Sequence, residues 1–578
     1  MKTFRFAAAV LLTIALGFIS GPAVAIDSST DPLPMSMRQV QEITPYEPPH
    51  PGKVWFGYSV TGTLGQIFGT PPMLWSGGTY CHDGAFTCLS SADKAHSIGY
   101  FTLCAETNTA PCIESLEGRA SKDAAWVTAK VKAKVSWALT QQEKNDWSDS
   151  LMRDGWGTPS DIADNKGWQS QKGSAIFASA DGPITFEIPG VANAAGNDNY
   201  LLDAGYEADY DLAQGVATRA LPKQVHFNVR PFVPAGPGYS PRQALRNGGN
   251  TGSLGMTPEK AFEGSSASAW AAAFSPLSQF RVKVRMPNSV SGWFAGRLDA
   301  PDITVEPSGS GENLVTISGT PVDVPTTSAG FPFFSAEAEQ IRKDLNMPWD
   351  QASIDMFKKI EASGGAGGTG FTWVPNEGLS NIYQYWTKYF PPVAKGQLSL
   401  WSVTTLDGSK TAGPCFQNPN RLQGMVTSNA MVYQAGLPTF TQGRLDYSVS
   451  GVHFNVNNEV FQGTYRLIMR SDIARCVYGF SSAPIEGTVS VTSAGGAEQV
   501  AYTNVNEKDG WLSLTAQGFT FSDPTISVKL TQAKGASTSP SSGVVAPRRI
   551  TITCTKGKLI KKVIAASPKC PAGYKKKA

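Results

Sequence analysis

Apolar residues in this chain come in short runs with a period of two, and that pattern constrains its fold more than any other feature. Phe280, Val282, Val284 and Met286 alternate with Arg281, Lys283 and Arg285. Successive strand side chains point to opposite faces, so the pattern predicts a strand with one face in a core and a basic face in solvent. Val127, Ala129, Val131, Ala133 and Val135 alternate in the same way with Thr128, Lys130, Lys132 and Lys134, which predicts a second half-buried strand with a basic outer face. Residues 184–188 and 224–229 read similarly. Between 397 and 530 strand signals recur at roughly ten-residue spacing, the rhythm of an antiparallel sandwich. Charged residues are only 16% of the chain, which also holds 58 Gly and 39 Pro. That composition belongs to a turn-rich β protein and is too apolar for a disordered one.

The period changes in the middle of the chain. Ser335 stands where it can cap a helix with Glu337 and Glu339 in its first turn, which suits the helix dipole; Pro348 ends it. Residues 350–361 predict a second helix, with Ile354, Phe357 and Ile360 on one side. Residues 376–389 predict a third, closed by Pro391 and Pro392, and residues 140–153 a short one. The expected fold class is therefore mainly β with a middle α+β domain: antiparallel β-sandwich-like domains plus a small disulfide-closed basic C-terminal tail. The expected organisation is a leader at 1–25, an extended lead-in at 26–52, a β-rich disulfide-containing domain at 53–240 and an α+β domain at 241–395. A β-sandwich-like domain at 396–533, a Ser/Gly/Pro linker at 534–547 and a basic module at 548–578 complete it.

The two ends set the compartment. Lys2 and Arg5 precede an apolar run from Phe6 to Ile19, and Ala23, Val24 and Ala25 form a small-residue cleavage site. This is the pattern of a secretory signal peptide and predicts an exported protein, extracellular or associated with the cell wall. No later stretch approaches the ~20 apolar residues that span a bilayer, so no transmembrane segment is expected after cleavage. Export makes disulfides the default reading of Cys81, Cys88, Cys104, Cys112, Cys415, Cys476, Cys554 and Cys570. Cys415–Cys476 and Cys554–Cys570 are the expected pairs. The first four cysteines allow three connectivities, of which Cys81–Cys88 with Cys104–Cys112 is the local one. Their spacing lacks the close pairs of a zinc site.

Charge is distributed unevenly. Residues 534–578 carry nine Lys and two Arg and no acid. The net +3 of the chain, less eleven for this tail and two for the leader, leaves −10 on residues 26–533. Arg548, Arg549, Lys556, Lys558, Lys561, Lys562, Lys569, Lys575, Lys576 and Lys577 are the candidate polyanion-binding residues. An exported protein meets anionic wall polymer or a membrane surface first, so these and not nucleic acid are the expected partners.

The body offers weaker signals. Glu207, Asp209 and Asp211 alternate, which puts three carboxylates on one strand face, a possible oxygen site for Ca²⁺ beside the alternative of a solvated acidic face. No other cofactor is implied. Gly365–Gly370 spells G-x-G-x-x-G but follows a helix, where a dinucleotide turn needs a strand. Ser91 and Lys94 have acyl-enzyme spacing without the partner motifs. The five histidines show no zincin spacing, although a triad assembled by the fold leaves no local trace. Trp55, Trp75, Trp147, Trp156, Trp168 and Trp293 invite a glycan-stacking reading against the commoner role of core anchors.

Several segments resemble known sequences. The tail C-T-K-G-K-L-I-K-K-V from Cys554, with P-K-C-P-A-G-Y-K-K from Pro568, looks like a short C-terminal module of secreted proteins from high-GC Gram-positive bacteria. M-P-N-S-V-S-G-W-F-A-G-R-L from Met286, A-R-C-V-Y-G-F from Ala474, D-G-W-L from Asp509 and G-F-T-F-S-D-P-T-I from Gly518 resemble an uncharacterised family of actinobacterial secreted multidomain proteins. The likeness spans most of residues 280–578. It implies compartment and architecture and brings no assigned activity. The expected function is a secreted or surface-associated, non-enzymatic structural or binding protein held on anionic wall polymer by its cationic tail. An extracellular polymer-degrading hydrolase with carboxylates in the N-terminal β domain, and a glycan-binding protein, are the alternatives.

Overall fold

The structure is a computed structural model. It describes, apart from short gaps, residues 72–135, 167–234, 260–344, 350–363, 392–406, 422–532 and 550–576, with Met37, Cys415 and residues 40–42, 55–56, 371–373 and 376–377. The expected leader, the predicted helix at 140–153, the glycine motif and the expected linker lie outside the described residues. Backbone contacts divide the chain into two compact units. One is Met1–Phe480 with Ile485–Thr531, and the other is Ser481–Pro484 with Gln532–Ala578.

The first unit is mainly β, as the period-two pattern requires. A six-stranded antiparallel-dominated sheet contains Cys112–Arg119, Gln279–Pro287, Asp299–Pro307 and Glu312–Thr320. Phe280, Val282, Val284 and Met286 are all buried on its inner face. A larger sheet contains the hairpin Asn199–Ala213 and Val216–Pro234, with Lys94–Tyr100, Gly292–Arg297, Gly396–Leu406, Leu422–Ser428, Gln462–Arg470 and Trp511–Thr520. The inner faces of the two sheets share one core, a sandwich-like arrangement. Tyr200 of the larger sheet meets Phe280 of the smaller with ring centroids 5.0 Å apart.

Three strands of the larger sheet are apolar on both faces. Phe294, Met425 and Ile468 enter the first core, while Trp293, Ala295, Val426, Leu467 and Met469 enter a second core with Tyr433, Tyr447 and Leu514. Every residue of Leu422–Ser428 is buried, the mark of a strand covered on both sides. The second core is completed by Arg444–Ser450 and Ile485–Thr492, which belong to a third, seven-stranded sheet. Arg297 closes this region. It is 1% exposed, donates to the carbonyls of Ser428, Ala430 and Met431, and stacks on Tyr433 at 4.2 Å.

The strand Gly396–Leu406 is the hub. Its residues 396–400 pair with Val40–Glu42 and with Val322–Thr326, and its residues 401–406 pair with His226–Val229 and with Trp293–Arg297. Hydrogen-bonded strands therefore cross both boundaries expected near residues 240 and 395.

Turns and caps follow local chemistry. Gln214 (φ 50°) with Gly215 (φ 76°), and Asp509 (φ 51°) with Gly510 (φ 79°), are two-residue hairpin turns with both residues left-handed, the turn that matches strand twist. Ser335 accepts from the Ala338 amide at 3.2 Å and caps Ala336–Asp344; Asp350 accepts from the Ser353 amide at 2.7 Å and caps Gln351–Ala362. Three expectations need correction. Asn376–Glu377 is a strand paired in parallel with Val432–Tyr433, where a helix was expected to begin. Val127–Thr128 and Lys130–Lys134 belong to different sheets. The second of these is an edge strand whose register slips between Thr185 and Phe186, and all five of its residues, Val131 included, are exposed where a half-buried strand was expected.

Cys81 is bonded to Cys88, Cys104 to Cys112 and Cys415 to Cys476. The last bond ties the chain to the helix Ser471–Tyr478, which Gly479 ends in the left-handed conformation (φ 65°).

Candidate functional site

The three carboxylates singled out by their spacing do share a face. Tyr206, Ala208 and Tyr210 point into the core, which sends Glu207, Asp209 and Asp211 outward. Register then decides their neighbours. Asp209 lies between His96 and Leu221, Glu207 between Ile98 and Gln224, and Asp211 between Lys94 and Arg219. His96 Nδ1 is 2.6 Å from Asp209 Oδ1, and its Nε2 is 3.2 Å from Glu207 Oε1. Lys223 Nζ sits 3.0 Å from Asp209 and 3.7 Å from Glu207. Trp75 meets His96 edge-on, with centroids 4.2 Å apart.

His96 and Lys223 thus pair with two of the three carboxylates expected as a calcium site, Glu207 and Asp209, and among the described residues no three His, Cys, Asp or Glu are placed to hold a metal ion. The hydrogen bond from His96 holds the Glu207 carboxyl below its usual range. Burial would raise Asp209, but its bonds to His96 and Lys223 outweigh that and lower it. For His96, burial would lower the imidazole, and the bonds to Glu207 and Asp209 outweigh it and raise the group. A glycosidase pair needs one carboxyl raised to act as an acid. Both carboxyls here are lowered, because each is paired with His96 and Lys223.

Sequence reasoning missed His96 and Lys223 as partners, because His96 and Asp209 are 113 residues apart and only the strand register brings them together.

A second cluster is fully buried. Asp203 Oδ1 is 3.1 Å from His226 Nε2, Asn228 donates to Asp203 Oδ2 at 3.1 Å, and burial depresses the neighbouring Arg230 to about 10 against the pull of Asp203. Gly205 makes room for it: a Cβ there would stand 2.4 Å from His226 Cε1. An Asp–His pair is two-thirds of a hydrolytic triad. Among the described residues, however, His226 Nδ1 has no hydrogen-bond partner, so no hydroxyl is presented to it. The pair belongs to the interior of the sheet.

The remaining sequence candidates separate in the same way. Ser91 lies in an exposed turn and Lys94 begins a strand. Trp168 and Trp293 are core residues, 4% and 1% exposed. His50, His82, Trp147, Trp156 and the side chain of Trp55 lie outside the described residues.

The cationic end forms its own unit. Ile550–Lys556 pairs with Leu559–Ala565 and with Lys575–Lys576 in a three-stranded antiparallel sheet. In this register Cys554 lies between Lys561 and Lys576, Thr553 is opposite Lys562, and Thr555 is opposite Lys575. Lys575 and Lys576 are exposed, and Cys570 is disulfide-bonded. Lys556, Lys561, Lys562, Lys575 and Lys576 thus stand within one small sheet. Arg548, Arg549, Lys558, Lys569, Lys577 and the Cys554 side chain lie outside the described residues.

No family model, no curated protein and no solved structure matches this chain.

Proposed function

We propose that the protein is exported and acts without catalysis at the cell surface, as a β-rich structural or binding protein held to an anionic wall polymer or membrane surface by its terminal module. The observation that carries this reading is the three-stranded sheet that gathers five lysines within 27 residues, Ile550 to Lys576, in a tail without a single acid. Strand pairing fixes the spacing of these charges, and each lysine near an anionic surface contributes roughly 1 kcal/mol. The acidic remainder of the chain is repelled by the same surface, so attachment falls to the tail.

Its test is wall fractionation of the secreted protein and of a deletion ending at Pro547, in salt rising from about 0.1 to about 1 M, over which the Debye length falls from about 10 to 3 Å. The full chain should be released only at high salt and the deletion already at low salt. Equal release of both at low salt overturns the reading.

A further inference from the structure

One disulfide is open to solvent where the others are covered. Cys81, Cys104 and Cys112 are buried, and Cys88 and Cys570 are half-buried. Cys476 is exposed, alone among the bonded cysteines of the described residues, and its partner Cys415 is half-buried. Cys476 stands in the last turn of the helix Ser471–Tyr478. A helix covers most of its own backbone, so exposure there is exposure of the side chain, which in cysteine ends at the sulfur.

This bond can open without dismantling the fold. The helix has other anchors. Ile473 and Ala474 are buried in the second core. The Ser471 amide donates to the Gly510 carbonyl at 2.8 Å, and Arg475 donates from Nη1 and Nη2 to the two carboxylate oxygens of Glu507 at 2.6 and 3.1 Å. At the other end, Cys415 lies between the strands Gly396–Leu406 and Leu422–Ser428, and each of these is held by its own pairing with Gly292–Arg297. The two sulfurs also differ in what they can become. Cys476 sits at the helix end where aligned carbonyls carry partial negative charge, which disfavours a thiolate; Cys415 is outside the helix. The sulfur a nucleophile can reach is therefore Cys476, and the sulfur better able to depart with the electron pair is Cys415.

We propose that Cys415–Cys476 is a thiol-exchange site, opened by an external dithiol that attacks at Cys476. A thiolate of the dithiol bonds to Cys476 Sγ; the protein's S–S bond breaks, its electron pair leaves on Cys415 Sγ, and that thiolate takes a proton from water. The second thiol of the dithiol, deprotonated, then attacks the dithiol's own sulfur in the mixed disulfide. This closes the reagent's disulfide and returns Cys476 as a thiol. Two electrons and two protons pass in all from the dithiol to the protein. A monothiol has no second thiol held in place, and the helix end disfavours departure of Cys476, so a monothiol accumulates as an adduct on that residue. The surface attachment proposed above plays no part in this inference.

The test is timed reduction of the full mature chain under native conditions with dithiothreitol, quenched with iodoacetamide and mapped by mass spectrometry of its peptides. Cys415 and Cys476 should take the label about tenfold faster than Cys81, Cys88, Cys104 and Cys112, because exchange follows access to the attacked sulfur. Protein labelled at this pair should still unfold cooperatively in urea. With glutathione in place of dithiothreitol, glutathione should be found on Cys476 and the alkyl label on Cys415. Labelling of all these cysteines at one rate overturns the inference, since it would mean that the bonds open only when the whole chain unfolds. Earlier opening of another bond overturns it too, as does glutathione on Cys415 with the label on Cys476.

Discussion

His96 touches a carboxylate with each ring nitrogen, and a neutral imidazole has only one N–H to donate. The observed geometry therefore belongs to the imidazolium, which joins the strand Lys94–Tyr100 to Asn199–Ala213 by two charge-assisted bonds. The sign of the pH dependence follows. His96 is raised above its ordinary 6.5, so its contribution is fully present below 6.5 and is lost as pH rises through the raised value. Glu207 and Asp209 are lowered from 4.5 and 3.8, so theirs is present above those values and is lost as pH falls through the lowered ones. The cluster stabilises most between 4.5 and 6.5. Its members are partly exposed, with Asp209 at 41% and Lys223 at 47%, so the contribution is about 0.5–1 kcal/mol. Urea unfolding of wild type and His96→Gln should show the variant weaker near pH 5.5 and the two converging near pH 8.5. A gap that widens with pH would show that His96 is not the proton carrier. None of this was legible in the sequence. The alternation of Glu207, Asp209 and Asp211 announced a shared face, but the cations on it come from other strands, and which ones is a matter of register.

Elements with one wet face were legible; elements with two dry faces were not. Gln279–Pro287 alternates because only one side meets the core, and the caps at Ser335 and Asp350 and the turn at Asp509–Gly510 act within a few residues. Leu422–Ser428 shows no alternation because both faces are covered, and its Gln423, Thr427 and Ser428 look like loop residues until the strands around them are in place. The helix Ser471–Tyr478 is short and sits between two strands, so its one local signal was Gly479 behind it. That helix carries Cys476, whose bond to Cys415 closes a loop over a sequence separation of 61. Loop-closure entropy puts this bond at ~4 kcal/mol. Replacing both cysteines by serine should lower unfolding stability by about that amount. Amides of 471–478 should lose hydrogen-exchange protection first, because one anchor of this two-turn helix is gone. An unchanged stability would mean that Cys415 is held in place by packing alone.

At the scale of the whole molecule, the sequence suggested three β-containing domains in series, whereas backbone contacts gather Met1–Phe480 and Ile485–Thr531 into one compact unit. The hub strand accounts for the difference. Its residues 402–404 pair on one edge with His226–Asn228 and on the other with Ala295–Arg297, and Trp401 Nε1 donates to the Gly319 carbonyl at 3.0 Å. Long-range pairings of this kind leave no mark on local composition, so the boundaries expected near 240 and 395 were read from glycine- and proline-rich stretches alone. Val403, 1% exposed and paired with Phe227 and Gly296, is the position at which to test the consequence. Val403→Ala removes two buried methyl groups and should cost about 2 kcal/mol. If the unit unfolds as one, slow-exchanging amides near Leu201 and Phe227 and those near Leu467 and Leu514 should all lose protection by the same increment. They belong to different cores and to segments expected in different domains, so only a shared global opening moves them together. A loss confined to residues 199–234, with 462–520 unchanged, would restore the serial-domain picture and reduce the hub strand to a contact between independent parts.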